Sequence, residues 1–303
     1  PSTREPLIAL NTASTEDTQA AIGHAVAAFP AWRDLGGIAR AVFLRKIAAG
    51  LKARETDLIE VQMRNNGKPR FEAEIDVSDA VATFEYYAAM AEDLERKQST
   101  PVALPDDNYT GRTRFEAVGA VGMIVPWNFP LVTSAWKIAP ALAAGCTIVI
   151  KTSEYTPLAE LVYGDIAADI GLPAGVLNIL TGAAVTGMAL TSDKRLAKLS
   201  FTGSNAIGSR VMQAASARCQ PVSLELGGKS PIVVFEDAPI DSAVEQIVAG
   251  IFFNCGQMCS ATSRLILARS LRDTLISALV ERCKNLKFGS PFEDGVETGP
   301  VSN

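Results

Sequence analysis

The chain has 303 residues, 48% of them hydrophobic, and its 28 basic against 33 acidic residues give a net charge of −5. This composition predicts one large or two ordinary globular domains with a sizeable core, and it excludes a disordered chain. The mild acidity and the lack of a basic run argue against a nucleic-acid partner. Because there is no membrane-spanning apolar run or signal-peptide pattern, and the five cysteines lack a framework spacing, we expect a cytoplasmic protein with no membrane partner.

The first hundred residues predict four amphipathic helices. In the first, Thr15 is placed to cap the N-terminus and Pro30 to end the helix. The second carries an apolar stripe of Ile38, Val42, Ile47 and Leu51. The third is predicted to stop at the turn-forming pair Asn66–Gly67, and a long fourth helix follows.

Residues 106–118 interrupt the helical pattern. Asp106, Asp107 and Asn108 favour a turn, and the segment after them alternates polar and apolar residues as an exposed hairpin does. Such a hairpin could join two subunits. A plain surface excursion is an equally good interpretation.

From Val118 onward, short apolar runs alternate with helical segments. This repetition predicts a parallel sheet covered by helices on both faces, which is a nucleotide-binding type of α/β architecture. We predict a dinucleotide-binding domain over residues 1–226 and the first part of an α/β catalytic domain over residues 227–303. The predicted strands of the first sheet lie at residues 118–125, 147–150, 176–180, 199–201 and 222–224.

Polar residues follow three of these strands. Asn128 stands in a turn fixed by two prolines, where its amide could donate to an oxygen that develops negative charge. Lys151 and Glu154 follow the second strand, where they could hold the ribose of a dinucleotide or simply form an exposed ion pair. Gly203 and Ser204 open a helix and could present N–H groups to a phosphate. No Gly-x-Gly-x-x-Gly fingerprint stands at a strand end, so each signal is weak by itself.

The stretch from residue 223 to residue 263 contains one carboxylate and one thiol among small residues, Glu225 and Cys259. A thiol needs to lose its proton to act as a nucleophile, and histidine is its usual partner. The single histidine, His24, lies far upstream in an amphipathic helix, so a Cys/His protease arrangement is poorly supported. Cys255 stands four residues before Cys259, where it could form a reversible disulfide or simply fill space.

Taken in order, five runs of the sequence resemble the aldehyde dehydrogenase superfamily. They are Pro-Trp-Asn-Phe-Pro, Lys-Thr-Ser-Glu, Phe-Thr-Gly-Ser, Leu-Glu-Leu-Gly-Gly-Lys-Ser-Pro and Asn-Cys-Gly-Gln-Met-Cys. The resemblance implies oxidation of an aldehyde to a carboxylic acid, with hydride transfer to NAD or NADP. It implies that Cys259 attacks the aldehyde, that Asn128 stabilises the oxyanion, and that Glu225, in an apolar setting, activates the water that hydrolyses the thioester.

The same matching implies where the cofactor binds. Lys151 and Glu154 would hold the adenosine ribose, Ser204 the pyrophosphate, and the carboxylate of Glu154 would repel a 2′-phosphate and so favour NAD over NADP. The full set of implied cofactor-binding residues is Ile124, Pro126, Trp127, Lys151, Ser153, Glu154, Gly182, Phe201, Gly203, Ser204, Ile207, Leu226 and Gly227.

Within the family, the sequence looks most similar to the betaine and amino aldehyde dehydrogenases. Those enzymes resemble one another in an aromatic box that holds the cationic end of the substrate, which cation–π attraction explains. Here the box would include Phe129, Trp136 and Phe253, and the substrate would be an aminoaldehyde or betaine aldehyde. Phenylalanine stands at two positions where better-known members carry Tyr and Trp, which argues against a quaternary ammonium preference, and plain core residues remain the alternative.

Members of the family continue beyond both ends of this sequence, so we expect a truncated chain that pairs with the missing C-terminal part, or a homo-oligomer in the full-length form. Two alternatives stay open. One is a catalytically impaired fragment that acts as a dinucleotide-binding or structural protein. The other is an acylating enzyme that passes the thioester to coenzyme A, which Glu225 argues against.

Overall fold

The computed structural model describes residues 1–302. Its first third is helical, as predicted, and the third helix stops at the expected turn. Among these residues, no helix is long and apolar enough to cross a membrane. The four helices are α1 (Thr15–Asp34), α2 (Gly37–Ala53), α3 (Glu55–Asn65) and α4 (Arg70–Arg96).

Helix α1 differs from the prediction at both ends. The N-cap is Ser14 rather than Thr15, and it forms a reciprocal pair of hydrogen bonds with Asp17, at 3.0 and 2.9 Å. This capping box satisfies two backbone donors at once, so it outcompetes a cap one residue later. Pro30 lies inside the helix, which continues to Asp34. The buried indole of Trp32 packs the last turn into the core and offsets the hydrogen bond that proline removes.

The apolar stripe predicted for α2 is partly wrong. Ile47 and Leu51 are buried, as the pattern predicted, but Ile38 and Val42 are exposed by 61% and 49%. The buried face is completed by Ala41 and Ala48, whose small side chains let α4 pack closely against α2. Small residues carry little hydrophobic signal, so at the start of the helix the sequence pattern pointed to a neighbouring face.

A hairpin follows α4, close to the predicted place. Strands β1 (Thr100–Val102) and β2 (Gly111–Thr113) pair antiparallel, and Thr100 lies opposite Thr113. The first strand therefore precedes the predicted range of 106–118, which begins in the turn. Its role in joining subunits stays a prediction.

The next five strands form the predicted parallel sheet, in the order β5-β4-β3-β6-β7. Helices α5 to α8 connect or follow them, so the α/β fold class is confirmed. The strands are β3 (Ala120–Ile124), β4 (Thr147–Lys151), β5 (Leu177–Leu180), β6 (Lys198–Gly203) and β7 (Val222–Leu226). The helices are α5 (Pro130–Ala144), α6 (Leu158–Asp169), α7 (Ala184–Ser192) and α8 (Asn205–Ser216).

Helices cover both faces of this sheet. On one face α5 and α6 pack together with α2 and α4 around Phe84, Ile138 and Tyr163. On the other face α1, α7 and α8 bury Ile22, Leu199 and Val211. Burial on both faces explains why the strands read as continuous apolar runs rather than as an alternation.

The last part of the chain begins a second sheet. Strands β8 (Pro231–Val234) and β9 (Arg264–Leu267) pair in parallel, and Pro231 lies opposite Arg264. Helices α9 (Ile240–Phe252) and α10 (Arg272–Lys284) pack on this pair around Val234, Ile247 and Leu275. A short turn at Phe253–Gly256, with left-handed backbone angles at Asn254 and Cys255, follows α9 and leads to Cys259.

Candidate active site

The carboxyl ends of the five parallel strands meet at one edge of the first sheet. Strands β4 and β5 lie on one side of β3, and β6 and β7 lie on the other, so the winding direction reverses between β3 and β6. Ligands of open α/β sheets bind outside such a reversal point. The predicted cofactor residues lie at this edge or in the turns after it, and they follow β3, β4, β5, β6 and β7 in turn.

Lys151 is the last residue of β4, where the sequence placed it just after the strand, and Glu154 lies beside it. The buried Nζ of Lys151 donates to the carbonyl oxygens of Thr152 at 2.8 Å and Gly182 at 2.5 Å, and it lies 3.5 Å from Oε2 of Glu154. Burial lowers the pKa of Lys151, and the nearby carboxylate partly offsets this effect. Glu154 itself is exposed by 47%, so its free oxygen can accept from a bound hydroxyl.

The turn after β6 and the start of α8 form a cradle for an anion. Ser204 is the N-cap of α8, and its Oγ accepts from the N–H of Ile207 at 3.4 Å. The unpaired N–H groups of the first turn point away from the helix, where they can bind a phosphate. Phe201 is buried in the core, and a Cβ on Gly203 would come within 2.6 Å of its ring. Glycine is therefore the residue that fits this turn.

Asn128 is held by the loop that carries Cys259. Its side-chain Nδ2 donates to the main-chain carbonyl oxygen of Gln257 at 2.7 Å, and its main-chain carbonyl oxygen accepts from Nδ2 of Asn254 at 3.0 Å. An amide nitrogen carries two hydrogens, so one remains for another acceptor. On the other side, Nδ2 of Asn66 donates to the carbonyl oxygen of Trp127 at 2.8 Å. The Asn66–Gly67 turn, predicted only to stop α3, therefore supports this site.

Cys259 lies on the exposed part of the loop, beyond the end of β7. A Cβ on Gly228 would lie 3.1 Å from the carbonyl oxygen of Cys259, so the segment that follows Glu225 contacts the cysteine backbone. The second cysteine, Cys255, directs its Sγ to the carbonyl oxygen of Gly299 at 3.0 Å. Burial raises the pKa of Cys255 to about 11, which disfavours its thiolate.

The apolar setting that we expected for Glu225 is wrong, because its side chain is exposed. Strand β7 is an edge strand, because no further strand pairs with it within residues 1–302. The sequence also missed Lys137 of α5, whose buried Nζ donates to Oγ of Ser200 at 2.8 Å. Burial lowers the pKa of Lys137 to about 8, and Glu225 counteracts part of this shift, so the two charges are neighbours.

The three aromatic residues of the predicted box do not form one cluster. Phe129 and Phe253 stack at 6.1 Å between ring centroids, and Nζ of Lys68 lies 3.6 Å from the Phe129 centroid. Trp136 is exposed by 56%. It lines a groove on α4 and α5 that also contains Asp79, Ala82, Thr83, Tyr86 and Tyr87.

The fold and this edge define a nucleotide-binding type of α/β protein in which a thiol-bearing loop lies beside the carboxyl ends of the strands. The chain belongs to the aldehyde dehydrogenase family, whose family model matches residues 1–303. The resemblance seen in the five sequence runs is thereby confirmed.

Individual relatives and a solved structure extend this comparison. The chain is 43% identical to a chloroplastic aminoaldehyde dehydrogenase of Arabidopsis thaliana and 43% identical to a chloroplastic betaine aldehyde dehydrogenase of Beta vulgaris, and each match covers 99% of this chain and 61% of the relative. A crystal structure of betaine aldehyde dehydrogenase from Staphylococcus aureus in complex with NAD⁺ superimposes with a TM-score of 0.95 at 34% identity, over 99% of this chain and 59% of that one. The chain thus spans about three fifths of the length of these relatives.

Proposed function

We propose that this chain carries the cofactor cleft and the nucleophile of an enzyme that oxidises an aldehyde to a carboxylic acid. The observation that carries the proposal is the 2.7 Å hydrogen bond from the Asn128 amide to the main-chain carbonyl oxygen of Gln257, two residues before Cys259; it supports an amide donor close to the loop that carries the thiol. Relatives named as aldehyde dehydrogenases, some of them solved with NAD⁺, support it. Aldehyde-dependent reduction of NAD⁺ by the purified protein is the direct test.

The residues at the sheet edge fit a nicotinamide dinucleotide. Lys151 and Glu154 would hold the adenosine ribose, because together they offer a donor and a free carboxylate oxygen. The first turn of α8 after Ser204 would bind the pyrophosphate. When bound, the nicotinamide dinucleotide would supply the hydride acceptor for the reaction.

The first chemical step is addition of the Cys259 thiolate to the aldehyde carbon, which turns the carbonyl oxygen into an oxyanion. The free N–H of the Asn128 amide and the backbone N–H of Cys259 would donate to that oxygen. A single preorganised donor of this kind is worth about 10²–10³ in kcat. After loss of hydride from the same carbon, a thioester links the substrate to Sγ.

The second step is hydrolysis of this thioester. Glu225 would take a proton from water, whose oxygen attacks the thioester carbon, and the Cys259 thiolate then leaves and the acid is released. The sum is aldehyde, water and oxidised cofactor giving acid, reduced cofactor and one proton.

Replacing Glu154 with glutamine is expected to weaken NAD⁺ binding about tenfold, because a charged hydrogen bond to the ribose becomes a neutral one. Discrimination against NADP⁺ should fall as well, since the carboxylate no longer repels a 2′-phosphate. Fluorescence titration with both dinucleotides measures the two effects. Glu236→Gln, an exposed change far from the cleft, is the matched control; equal affinities in the two variants would remove Glu154 from the cofactor site.

The groove around Trp136 supports an aminoaldehyde as substrate. It combines indole and phenol rings with the carboxylate of Asp79, and both features attract a cation. Asp79→Asn is therefore expected to raise KM for an aminoaldehyde about three- to tenfold while leaving KM for a neutral aldehyde of equal length unchanged. Initial rates with both substrates give the comparison, and Asp165→Asn on α6 is the control. An equal change for both aldehydes would contradict the cation preference.

Three further proposals concern the organisation of the protein. We place the boundary between a cofactor-binding domain and a catalytic domain at residue 226, where β7 ends and the chain leaves the first sheet. The hairpin of β1 and β2 is exposed, which suits a role in joining subunits. The cytoplasm remains the proposed location.

A further inference from the structure

Three consecutive residues in the loop before Cys259 adopt left-handed backbone angles. Their φ angles are 50° for Asn254, 57° for Cys255 and 74° for Gly256. Residues other than glycine rarely adopt these backbone angles, and the conformation persists only where surrounding groups hold it. Strained backbone of this kind concentrates at functional sites. The groups that hold this turn are therefore of functional interest.

The turn is held by a carboxylate from a distant part of the chain. Oε1 of Glu72, in the first turn of α4, accepts from the backbone N–H of Asn254 at 2.8 Å. Both residues are buried, with exposures of 0% and 1%. A charged acceptor forms a stronger hydrogen bond than a neutral one, and its loss would leave a buried N–H unpaired.

A continuous set of hydrogen bonds leads from Glu72 to Asn128. The Asn254 carbonyl oxygen accepts from the N–H and from Nε2 of Gln257, at 3.0 and 2.9 Å. The main-chain carbonyl oxygen of Gln257 in turn accepts from Nδ2 of Asn128 at 2.7 Å. Nδ2 of Asn254 donates to the main-chain carbonyl oxygen of Asn128 at 3.0 Å. The orientation of the Asn128 amide thus depends on where Asn254 is held.

We propose that Glu72 is a positioning residue, which fixes the left-handed turn at Asn254 and through it the amide of Asn128 and the loop that carries Cys259. The proposal rests on the proposed function only in taking Asn128 as the oxyanion donor. The fixing of the loop by Glu72 can be measured whether or not an aldehyde is oxidised.

The charges around Glu72 fit this role. Lys68, which is fully buried, pairs with Asp76 and covers the ring of Phe129. Burial raises the pKa of Glu72 to about 7, the Asn254 N–H and the Lys68 cation lower it, and Asp76 raises it. Glu72 also raises the pKa of the partly buried Cys255 thiol. The Oε2 atom of Glu72 has no hydrogen-bond partner within residues 1–302, so Oε1 carries the contact.

Two variants separate the effect of the charge of Glu72 from the effect of its side-chain length. Glu72→Asp keeps the charge but withdraws the acceptor by one methylene, whereas Glu72→Gln removes the charge and keeps an acceptor oxygen in place. We expect amide hydrogen exchange across residues 254–258 to accelerate at least tenfold in Glu72→Asp and to stay within about threefold of the parent in Glu72→Gln. Glu74→Asp, an exposed change on the same helix, should leave the exchange unchanged.

The same variants are then assayed for aldehyde oxidation, and kcat and KM are measured for each. Glu72→Asp should lower kcat about tenfold or more with little change in KM for NAD⁺, and Glu72→Gln should restore most of kcat. A folded Glu72→Asp protein with unchanged exchange and unchanged kcat would overturn the proposal. Changed exchange with no aldehyde oxidation in the parent would instead contradict the proposed function.

Discussion

Cys259→Ala is expected to abolish aldehyde-dependent NADH formation. In enzymes with covalent intermediates, removal of the nucleophile lowers kcat by up to about 10⁶-fold, because no other group can form the bond. No other thiol within residues 1–302 substitutes for it by position, since Cys255 points to the carbonyl oxygen of Gly299. Spectrophotometric assay of the purified variant with NAD⁺ and an aminoaldehyde measures the loss.

Cys219→Ala provides the matched control, because Cys219 is also exposed but follows α8, away from the candidate site. Dinucleotide binding should be preserved in both variants, since the residues proposed to hold the dinucleotide lie at the ends of β4 and β6 and at the start of α8. If Cys259→Ala still forms NADH at a substantial rate, the assignment of the nucleophile is wrong. If the parent protein binds NAD⁺ without oxidising any aldehyde, a binding protein is the better interpretation.

Glu225→Gln is expected to separate the two chemical steps. Hydride transfer precedes hydrolysis, so the first turnover should still release one equivalent of NADH per active site as a rapid burst. Steady-state turnover should then fall by about 10²–10⁴-fold, the usual contribution of a general base. Stopped-flow absorbance measures the burst and the steady rate together, and mass spectrometry should detect the thioester on Cys259.

Because Glu225 is exposed, its replacement tests its chemical role directly. Glu236→Gln changes the same kind of group two residues after β8, at the opposite end of that strand from Pro231, which pairs with Arg264 after the cysteine loop. If Glu225→Gln and Glu236→Gln turn over equally fast, water is activated elsewhere. If coenzyme A accelerates turnover of the parent protein and is acylated, the acylating alternative is correct and Glu225 has a different role.

Much of the fold was predictable because its signals are local. Five apolar runs at residues 118–224 predicted the parallel sheet, since strands buried on both faces carry no polar alternation. The predictions that failed depended on competition between neighbouring residues. Ser14 outcompetes Thr15 as a cap because it forms a capping box with Asp17, and Pro30 is tolerated because Trp32 is buried beyond it.

The sequence by itself determined the family, because its five runs stand in an order that is specific, and it proposed Asn128, Glu225 and Cys259 as the reactive side chains. Only the tertiary structure decided what surrounds them. Glu72 contacts Asn254 across 182 positions of the chain, a separation over which the sequence carries no pattern. Lys137 stands in an apolar helix, and only packing of α5 against the sheet places its charge beside Glu225. Reactive residues can be recognised from local motifs, whereas the charges and hydrogen bonds that position them depend on how distant elements pack.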